Sequence, residues 1–281
     1  MQKIDRKFLR PRLEKRTDDS HKGDYGHLLL ICGSRPMPGA ALLSTGAALK
    51  SGCGLVTLHT TAIAAQATMA SFPSAMLSID PEECFSQVPE GMLRFAAVAV
   101  GPGLGVSEKT VEAFRALLGK AREVSLPLVV DADAINIIAN HPELRRELPP
   151  GSVITPHEAE LLRLLGGDPG QDREKAVSTL CRETGCVVIA KGFHTEIFTP
   201  EGEKYVNTTG NSGLAKGGSG DVLTGLVGGL LARGYSALNA ALLGVWIHGY
   251  AGDCLTESCT AEAYNSRDLI DALYQGFKAL L

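Results

Sequence analysis

The sequence predicts an α/β fold, built on a mostly parallel central sheet with helices on both faces and an antiparallel hairpin at one edge. Short apolar runs, typical of strands covered on both sides, alternate along the chain with segments of helical periodicity. Parallel strands require crossover connections, and helices that return over the sheet supply them. Two short strands joined by a tight turn late in this alternation predict the hairpin.

The first half of the chain supplies four predicted strands. HLLLICG (27–33), GLVTLH (54–59), FAAVAVG (95–101) and PLVVDAD (127–133) are nearly continuous apolar runs. Helices are predicted between or after them because the apolar residues there are small or helically spaced. These helices cover 39–51, 107–120 and a short stretch after Asp133.

The second half begins with the strand SVIT (152–155) and a helix opened by Pro156 and His157, followed by a helix over 170–184 and the strand CVVIAKG (186–192). HTEIFT (194–199) and EKYVN (203–207) flank the turn-forming triplet Pro200-Glu201-Gly202, which predicts the hairpin. The remaining predicted helices cover 218–232, 237–252 and 266–278. We expect one domain over residues 1–281, in which the charged segment 1–26 is an N-terminal arm.

Composition excludes several classes of protein. The 281 residues carry 27 basic and 31 acidic side chains, a net charge of −4, which argues against nucleic-acid binding by bulk attraction. The longest apolar candidate, 222–232, is too short to span a bilayer, and the N-terminus lacks the apolar core of a secretory signal. Seven cysteines without a C-x2-C pair favour reduced thiols. We therefore expect a cytoplasmic protein that binds neither nucleic acid nor membrane.

A glycine-rich turn precedes the predicted helix at 218–232. Gly217, Gly218, Ser219 and Gly220 stand at its start in the segment NTTGNSGLAKGGSGD (207–221). Glycines let a ligand approach the backbone, and a helix N-terminus presents unpaired N–H groups and a positive dipole end. The turn is therefore a candidate anion cradle. Asp221 could be an ordinary helix-start residue, but a carboxylate beside a phosphate cradle is also suited to take a proton from an attacking hydroxyl.

The cradle differs from two common phosphate motifs. A Walker A loop needs Gly-Lys-Ser/Thr at the helix start, whereas Lys216 precedes the glycine pair here. G-x-G-x-x-G is absent after the first strand, which argues against a dinucleotide-binding Rossmann fold. The order Gly-Gly-Ser-Gly-Asp resembles the anion-hole and base motif of ribokinase-like kinases.

Further segments narrow this resemblance. GDYGHLLLICGSRPMPGAALLSTGAALKSGCGLVTL (23–58), VGPGLG (100–105), VVDADAIN (129–136), ITPHEAELLRL (154–164) and IAKGFHTEIF (189–198) precede the glycine-rich segment in this order. Together they resemble the NAD(P)H-hydrate dehydratase family over residues 20–276. The resemblance implies a ribokinase-like three-layer sandwich. It also implies a lyase that removes the hydroxyl of the S epimer of hydrated NADH or NADPH (NADHX, NADPHX) with a nucleotide as phosphoryl donor.

The resemblance implies roles for individual residues. Asp221 would be the catalytic base, and the hydrated substrate would contact Ala40, Gly103, His157 and Asp221. The nucleotide would be bound by Lys191, Gly192, Phe193, His194, Thr195 and Gly220. From the residues alone, small-residue packing at Ala40, a simple turn at Gly103, a helix cap at His157 and a surface turn at 191–195 stay open as alternatives.

Cofactors and partners are also implied. Mg2+ is expected because phosphoryl transfer in this fold normally needs a divalent ion. Its ligands stay undetermined, since Asp131 and Asp133 could hold it through water or Asp133 could cap a helix. The resemblance favours ADP over ATP as donor, a homotetramer, and a separate epimerase that supplies the S epimer, because we expect the chain to be too short to include one.

Two other functions share the same cradle. A ribokinase-like hydroxyl kinase of a vitamin precursor or sugar would use Asp221 in the same way but release a stable phosphorylated product. A non-catalytic nucleotide-binding protein would not need Asp221, and the intact Gly-Gly-Ser-Gly-Asp run argues against it.

Overall fold

A computed structural model describes residues 2–281. Within these residues ten strands form one sheet in the order β1-β10-β9-β8-β7-β6-β5-β2-β3-β4. Neighbours are parallel except at β8/β9 and β9/β10, which confirms the mostly parallel sheet with an antiparallel hairpin. The strands are β1 (Gln2–Ile4), β2 (His27–Ile31), β3 (Leu55–Thr60), β4 (Met76–Ile79), β5 (Ala97–Val100), β6 (Leu128–Val130), β7 (Val153–Ile154), β8 (Val187–Ala190), β9 (Glu196–Phe198) and β10 (Lys204–Asn207).

Helices cover both faces of this sheet, as the sequence predicts. In residues 2–281 they are α1 (Arg6–Leu9), α2 (Pro38–Lys50), α3 (Ala62–Ser71), α4 (Glu108–Glu123), α5 (Ala132–Asn140), α6 (Glu158–Leu165), α7 (Arg173–Thr184), α8 (Ser219–Ala232), α9 (Ala237–Thr256) and α10 (Ser266–Leu280). Strand residues alternate between two cores because successive side chains point to opposite faces. In β2, Leu28 and Leu30 pack with α2, α8, α9 and α10, whereas Leu29 and Ile31 pack with α4 to α7.

Four elements were not predicted. The N-terminal arm contains β1 and the short helix α1. Strand β1 pairs in parallel with β10, so β1 rather than the hairpin forms that edge of the sheet. Buried Ile4 and Leu9 anchor this segment to the core. Helix α3 and strand β4 lie in a region for which the sequence predicts no helix or strand. Strand β4 forms the opposite edge of the sheet.

Helix α8 packs closely against the sheet and α2. A Cβ atom at Gly225 would lie 2.0 Å from the carbonyl oxygen of Ser44, and one at Gly229 would lie 2.0 Å from Ser51 Oγ. A Cβ atom at Gly228 would lie 2.8 Å from the Cβ of Ala99 on β5. Glycine at these positions therefore lets the backbone of α8 approach its neighbours.

The carboxyl ends of β2, β5, β6, β7 and β8 lie along one edge of the sheet, since these strands are parallel. Segments that follow them contain most of the residues singled out in the sequence, and ligands of such sheets bind beyond this edge. Among residues 2–281, none of the helices combines the length and the apolar composition of a membrane span.

Candidate active site

A cavity of about 760 Å³ opens beside the start of α8. Its walls come from the segment after β8, the glycine-rich segment and α9. The lining residues include His157, Lys191, Gly192, Phe193, Thr195, Gly217, Ser219, Gly220 and His248. The structure thus gathers most of the residues for which the sequence suggests nucleotide contacts.

The glycine cradle has the geometry of an anion site. Gly218 precedes α8 with φ +89°, a conformation that favours glycine, and a Cβ atom there would also displace the end of the Leu43 side chain. The backbone N–H of Ser219 donates to the carbonyl oxygen of Lys216. Among residues 2–281, no backbone acceptor pairs with the N–H groups of Gly217, Gly218, Gly220 or Asp221. These donors remain available to a ligand.

Lys191 and Asp131 form a buried ion pair behind the cradle. Lys191 Nζ donates to Asp131 Oδ1 at 2.8 Å, and Thr224 Oγ1 of α8 donates to Asp131 Oδ2 at 2.6 Å. The Asp131 side chain is 2% exposed and that of Lys191 is 20% exposed. Asp131 therefore positions Lys191 at the cavity wall and joins it to α8, a role that the sequence did not predict.

Asp221 lies in the first turn of α8, half-buried and close to other acids. Burial raises the pKa of its carboxyl group to about 6, and repulsion from Asp131 and Asp133 adds to this effect, whereas Lys191 opposes it. A carboxyl group with that pKa is ionised at neutral pH yet basic enough to accept a proton from a hydroxyl. Its environment is therefore suited to general base catalysis.

Asp133 does not cap its own helix. Its Oδ2 accepts from the backbone N–H of Gly105 at 2.8 Å and so ties the start of α5 to the GPGLG segment. Among the residues described by the structure, no group of three or more His, Cys, Asp or Glu side chains could hold a metal ion by itself. Asp133 thus makes a loop contact rather than a helix cap, and no protein-only metal cage lies among these residues.

His157 is both a helix cap and a cavity residue. Its Nδ1 accepts from the backbone N–H of Glu160 at 3.3 Å, and Glu160 Oε2 accepts from the backbone N–H of His157 at 2.8 Å. The side chain of His157 is nevertheless 51% exposed and lines the cavity. Because His157 also forms a parallel bridge with Lys191, the ends of β7 and β8 hold both residues side by side.

Ala40 and Gly103 face each other at a second part of the site. A Cβ atom at Gly103 would lie 2.8 Å from the Cβ of Ala40 and 3.0 Å from the carbonyl oxygen of Met37. Gly103 has φ +66°, which also favours glycine. Within the described chain these two residues are outside the large cavity, on the side where Asp133 contacts Gly105.

The segment 191–195 forms an exposed rim. Phe193 is 88% exposed, and its ring centroid lies 4.5 Å from that of His194. Thr195 Oγ1 donates to the carbonyl oxygen of Gly192 at 3.3 Å, and its own carbonyl oxygen accepts from the N–H of Asn207 at 2.9 Å. This loop holds an exposed aromatic ring at the mouth of the cavity.

His248 of α9 is a cavity residue that was not predicted from the sequence. Its Nε2 lies 3.0 Å from the carbonyl oxygen of Ser219, so Nε2 carries the proton. Burial lowers the pKa of His248 to about 4, which keeps the ring neutral at neutral pH. His248 therefore supports the first turn of α8 as an uncharged donor. A lone histidine within an apolar helical stretch was the signal in the sequence.

Comparison with known proteins connects this geometry with a family. The NAD(P)H-hydrate dehydratase family matches residues 28–275. A Neisseria meningitidis protein, the ADP-dependent (S)-NAD(P)H-hydrate dehydratase, is 39% identical over 250 residues, which cover 86% of this chain and 81% of that protein.

Two further relatives extend the comparison. The bifunctional NAD(P)H-hydrate repair enzyme Nnr of Moorella thermoacetica is 37% identical over 281 residues, covering 95% of this chain, which spans about half (52%) of the length of that relative. The structure also matches that of the ADP/ATP-dependent NAD(P)H-hydrate dehydratase of Bacillus subtilis, co-crystallised with ATP and Mg2+. The TM-score is 0.87 at 29% identity, over 100% of this chain and 99% of the other.

The raised pKa of Asp221 predicts how its removal changes stability. A folded-state pKa near 6 against a usual 3.8 means that stability falls as pH rises from about 4 to about 6. We expect Asp221→Asn to raise the free energy of unfolding at pH 7.5 by about 1–2 kcal/mol, allowing for partial exposure, with a smaller gain at pH near 5. Urea denaturation at both pH values measures this difference.

Asp268→Asn is the matched control, because Asp268 occupies the same position in the first turn of α10. Its Oδ2 accepts from the backbone N–H of Asn265 at 2.8 Å, so this substitution should lower stability. Equal destabilisation by both variants at pH 7.5 would contradict the conclusion that the surroundings of Asp221 disfavour its ionised form.

Proposed function

Because this chain belongs to the NAD(P)H-hydrate dehydratase family, we propose that it converts the S epimer of NADHX or NADPHX to NADH or NADPH with a nucleotide as phosphoryl donor. The observation that carries the proposal is the position of Asp221. Its raised-pKa carboxyl group follows the cradle directly. It interacts electrostatically with Lys191, which lines the large cavity, and with Asp133, which contacts the segment that contains Gly103. A base in that position can serve both the large cavity and the Ala40–Gly103 pair.

The large cavity takes the nucleotide in this proposal. Lys191 contacts the donor phosphates, and Gly192, Phe193, His194 and Thr195 contact the ribose and base from the rim. The free N–H groups of Gly217, Gly218 and Gly220 stabilise the charge of the transferring phosphoryl group. The nicotinamide part of the substrate contacts Ala40, Gly103 and His157, so that its hydroxyl reaches Asp221.

The chemistry requires one base and a good leaving group. Asp221 takes the proton of the ring hydroxyl while the hydroxyl oxygen attacks the terminal phosphorus, and the bond from that phosphorus to the nucleotide breaks. The lone pair of the ring nitrogen then expels inorganic phosphate. Loss of a proton from the adjacent ring carbon restores the dihydronicotinamide. With ADP the products are AMP, inorganic phosphate and NADH or NADPH.

Mg2+ fits the site as an ion bound with the nucleotide. Magnesium usually retains several waters and takes one or two carboxylates together with substrate phosphates. The repulsion that Asp131 and Asp133 exert on Asp221 indicates negative charge that such an ion would offset. Asp131 is already bonded to Lys191 and Thr224, so Asp133 would hold the ion through the oxygen that does not accept from Gly105, together with water and phosphate oxygens. When bound, it would neutralise charge on the phosphates.

The donor and the partners belong to the same proposal. ADP is the favoured donor, in line with the name of the Neisseria relative, and the epimerase partner is supported by the bifunctional Moorella relative. We retain a homotetramer in the cytoplasm as our expectation. Free thiols support a reducing compartment, since none of the seven cysteines pairs within the described residues.

An enzyme assay tests the function. The purified chain should restore the absorbance of reduced nicotinamide from NADHX when ADP is added, and ATP should be compared in parallel. Asp221→Asn should lower the rate at least about a hundredfold while ADP still binds, because only the base is lost.

The rate of the wild type should fall as the pH is lowered below about 6, because Asp221 becomes protonated and can no longer accept a proton.

Two outcomes of this assay would contradict the proposal. A stable phosphorylated product without recovery of reduced nicotinamide would identify a hydroxyl kinase. Absence of turnover with any donor, with ADP binding intact, would favour a non-catalytic nucleotide-binding protein.

The substrate side can be tested at Gly103. Gly103→Ala should raise the KM for NADHX by roughly tenfold or more, since the added methyl group meets Ala40 and Met37, whereas the Kd for ADP should stay unchanged. Gly105→Ala is the matched control: Gly105 also has positive φ (+76°), but its Cβ would meet no atom within 4 Å. Steady-state kinetics and calorimetry measure both constants. An equal KM effect in the two variants, or a weaker Kd for ADP in Gly103→Ala, would remove Gly103 from the substrate contacts.

A further inference from the structure

Lys216 directly precedes the glycine cradle, but its ammonium group is fully occupied elsewhere. Nζ donates to the backbone carbonyl oxygens of Ala261 at 2.7 Å, Glu262 at 2.8 Å and Tyr264 at 2.6 Å. An ammonium group has three N–H donors, and these three contacts use all of them. Lys216 therefore has no donor left for a phosphate, although its side chain lines the cavity.

The surroundings of this ammonium are those of a bound monovalent cation. Within residues 2–281, no carboxylate lies within 4.0 Å of Lys216 Nζ, which instead lies 4.9 Å from the centre of the Tyr264 ring. Backbone carbonyl oxygens that replace the hydration shell are how proteins bind K+, and an aromatic face also attracts cations. The charge is thus held by dipoles and a ring, as a free cation would be.

The same contacts join the cradle to the segment between α9 and α10. Tyr264 Oη donates to Asn211 Oδ1 at 2.8 Å, and Ser266 Oγ donates to the carbonyl oxygen of Gly217 at 2.8 Å. A Cβ atom at Gly213 would lie 2.5 Å from the Tyr264 ring, so the two segments are in close contact. The Lys216 ammonium bonds to three carbonyl groups of this same segment, so it ties the residue before the cradle to the connection between α9 and α10.

We propose that the Lys216 ammonium is a tethered monovalent cation, which holds the glycine cradle in its binding conformation and makes nucleotide binding independent of dissolved K+. Lys216 is in this sense a positioning residue. The inference rests on the proposed function only in that nucleotide phosphates occupy the cradle.

Calorimetric titration of ADP tests this proposal in three chloride salts of equal ionic strength, those of tetramethylammonium, potassium and methylammonium. The wild-type Kd should be the same in all three. Lys216→Ala should bind ADP about tenfold more weakly in tetramethylammonium, an effect equivalent to one charged hydrogen bond. K+ or methylammonium should restore the affinity of this variant for ADP, because the shortened side chain leaves the three carbonyl groups accessible. The recovery should reach a plateau as the cation concentration rises.

Lys216→Met is the control variant, since its apolar side chain fills the space and should prevent rescue by any cation. The proposal is overturned if Lys216→Ala binds ADP normally in tetramethylammonium, or if its loss of affinity is not reversed by either small cation. Thermal unfolding of Lys216→Ala in the same salts tests the cation contact without nucleotide, and the small cations should raise its Tm. If the wild type binds no ADP, the proposed function fails, and the Tm series still decides this inference.

Should Lys216→Ala not fold, the wild-type salt series decides. Equal ADP affinity in the three salts supports the tethered cation. A specific requirement of the wild type for K+ overturns it.

Discussion

The arrangement of the site depends on how closely the first turn of α8 approaches the carboxyl ends of β6 and β8. A Cβ atom at Gly220 would lie 3.5 Å from Lys191 Nζ and 3.8 Å from Asp131 Oδ2, so the helix start is in contact with the buried ion pair. Glycines at 225 and 229 permit this approach because α2 lies directly against them. Larger residues along this face would displace the cradle from Lys191 and Asp221 from its neighbouring charges.

This approach concentrates charge of both signs in a small volume. Asp131 is satisfied by Lys191 and Thr224, whereas Asp221 is left with an environment that raises its pKa. A helix N-terminus ordinarily stabilises an ionised carboxylate, so burial and repulsion outweigh the dipole at this position. The cost of ionising Asp221 gives its carboxylate the basicity that the proposed role of general base requires, and a bound nucleotide with its ion would change that balance.

Buried strands and the cradle could be predicted from the sequence, because continuous apolar runs and a glycine-rich turn before a helix are local signals. The three-residue β1 has one buried apolar residue, Ile4, and α3 is an alanine-rich segment without a clear apolar face, so both lacked a local signal. Contacts between segments that are far apart in the sequence could not be predicted either, because no local pattern indicates them. The pairing of Asp131 with Lys191 spans 60 residues, and the carbonyl groups that hold Lys216 lie 45 to 48 residues away.

The fate of the substrate oxygen tests the central claim most directly, namely that Asp221 and the cradle transfer a phosphoryl group to the ring hydroxyl before elimination. NADHX labelled with a heavy oxygen isotope in that hydroxyl would be converted with ADP, and the products analysed by mass spectrometry. Transfer followed by elimination places the label in the released inorganic phosphate. Label recovered in water, with unlabelled phosphate, would contradict the account.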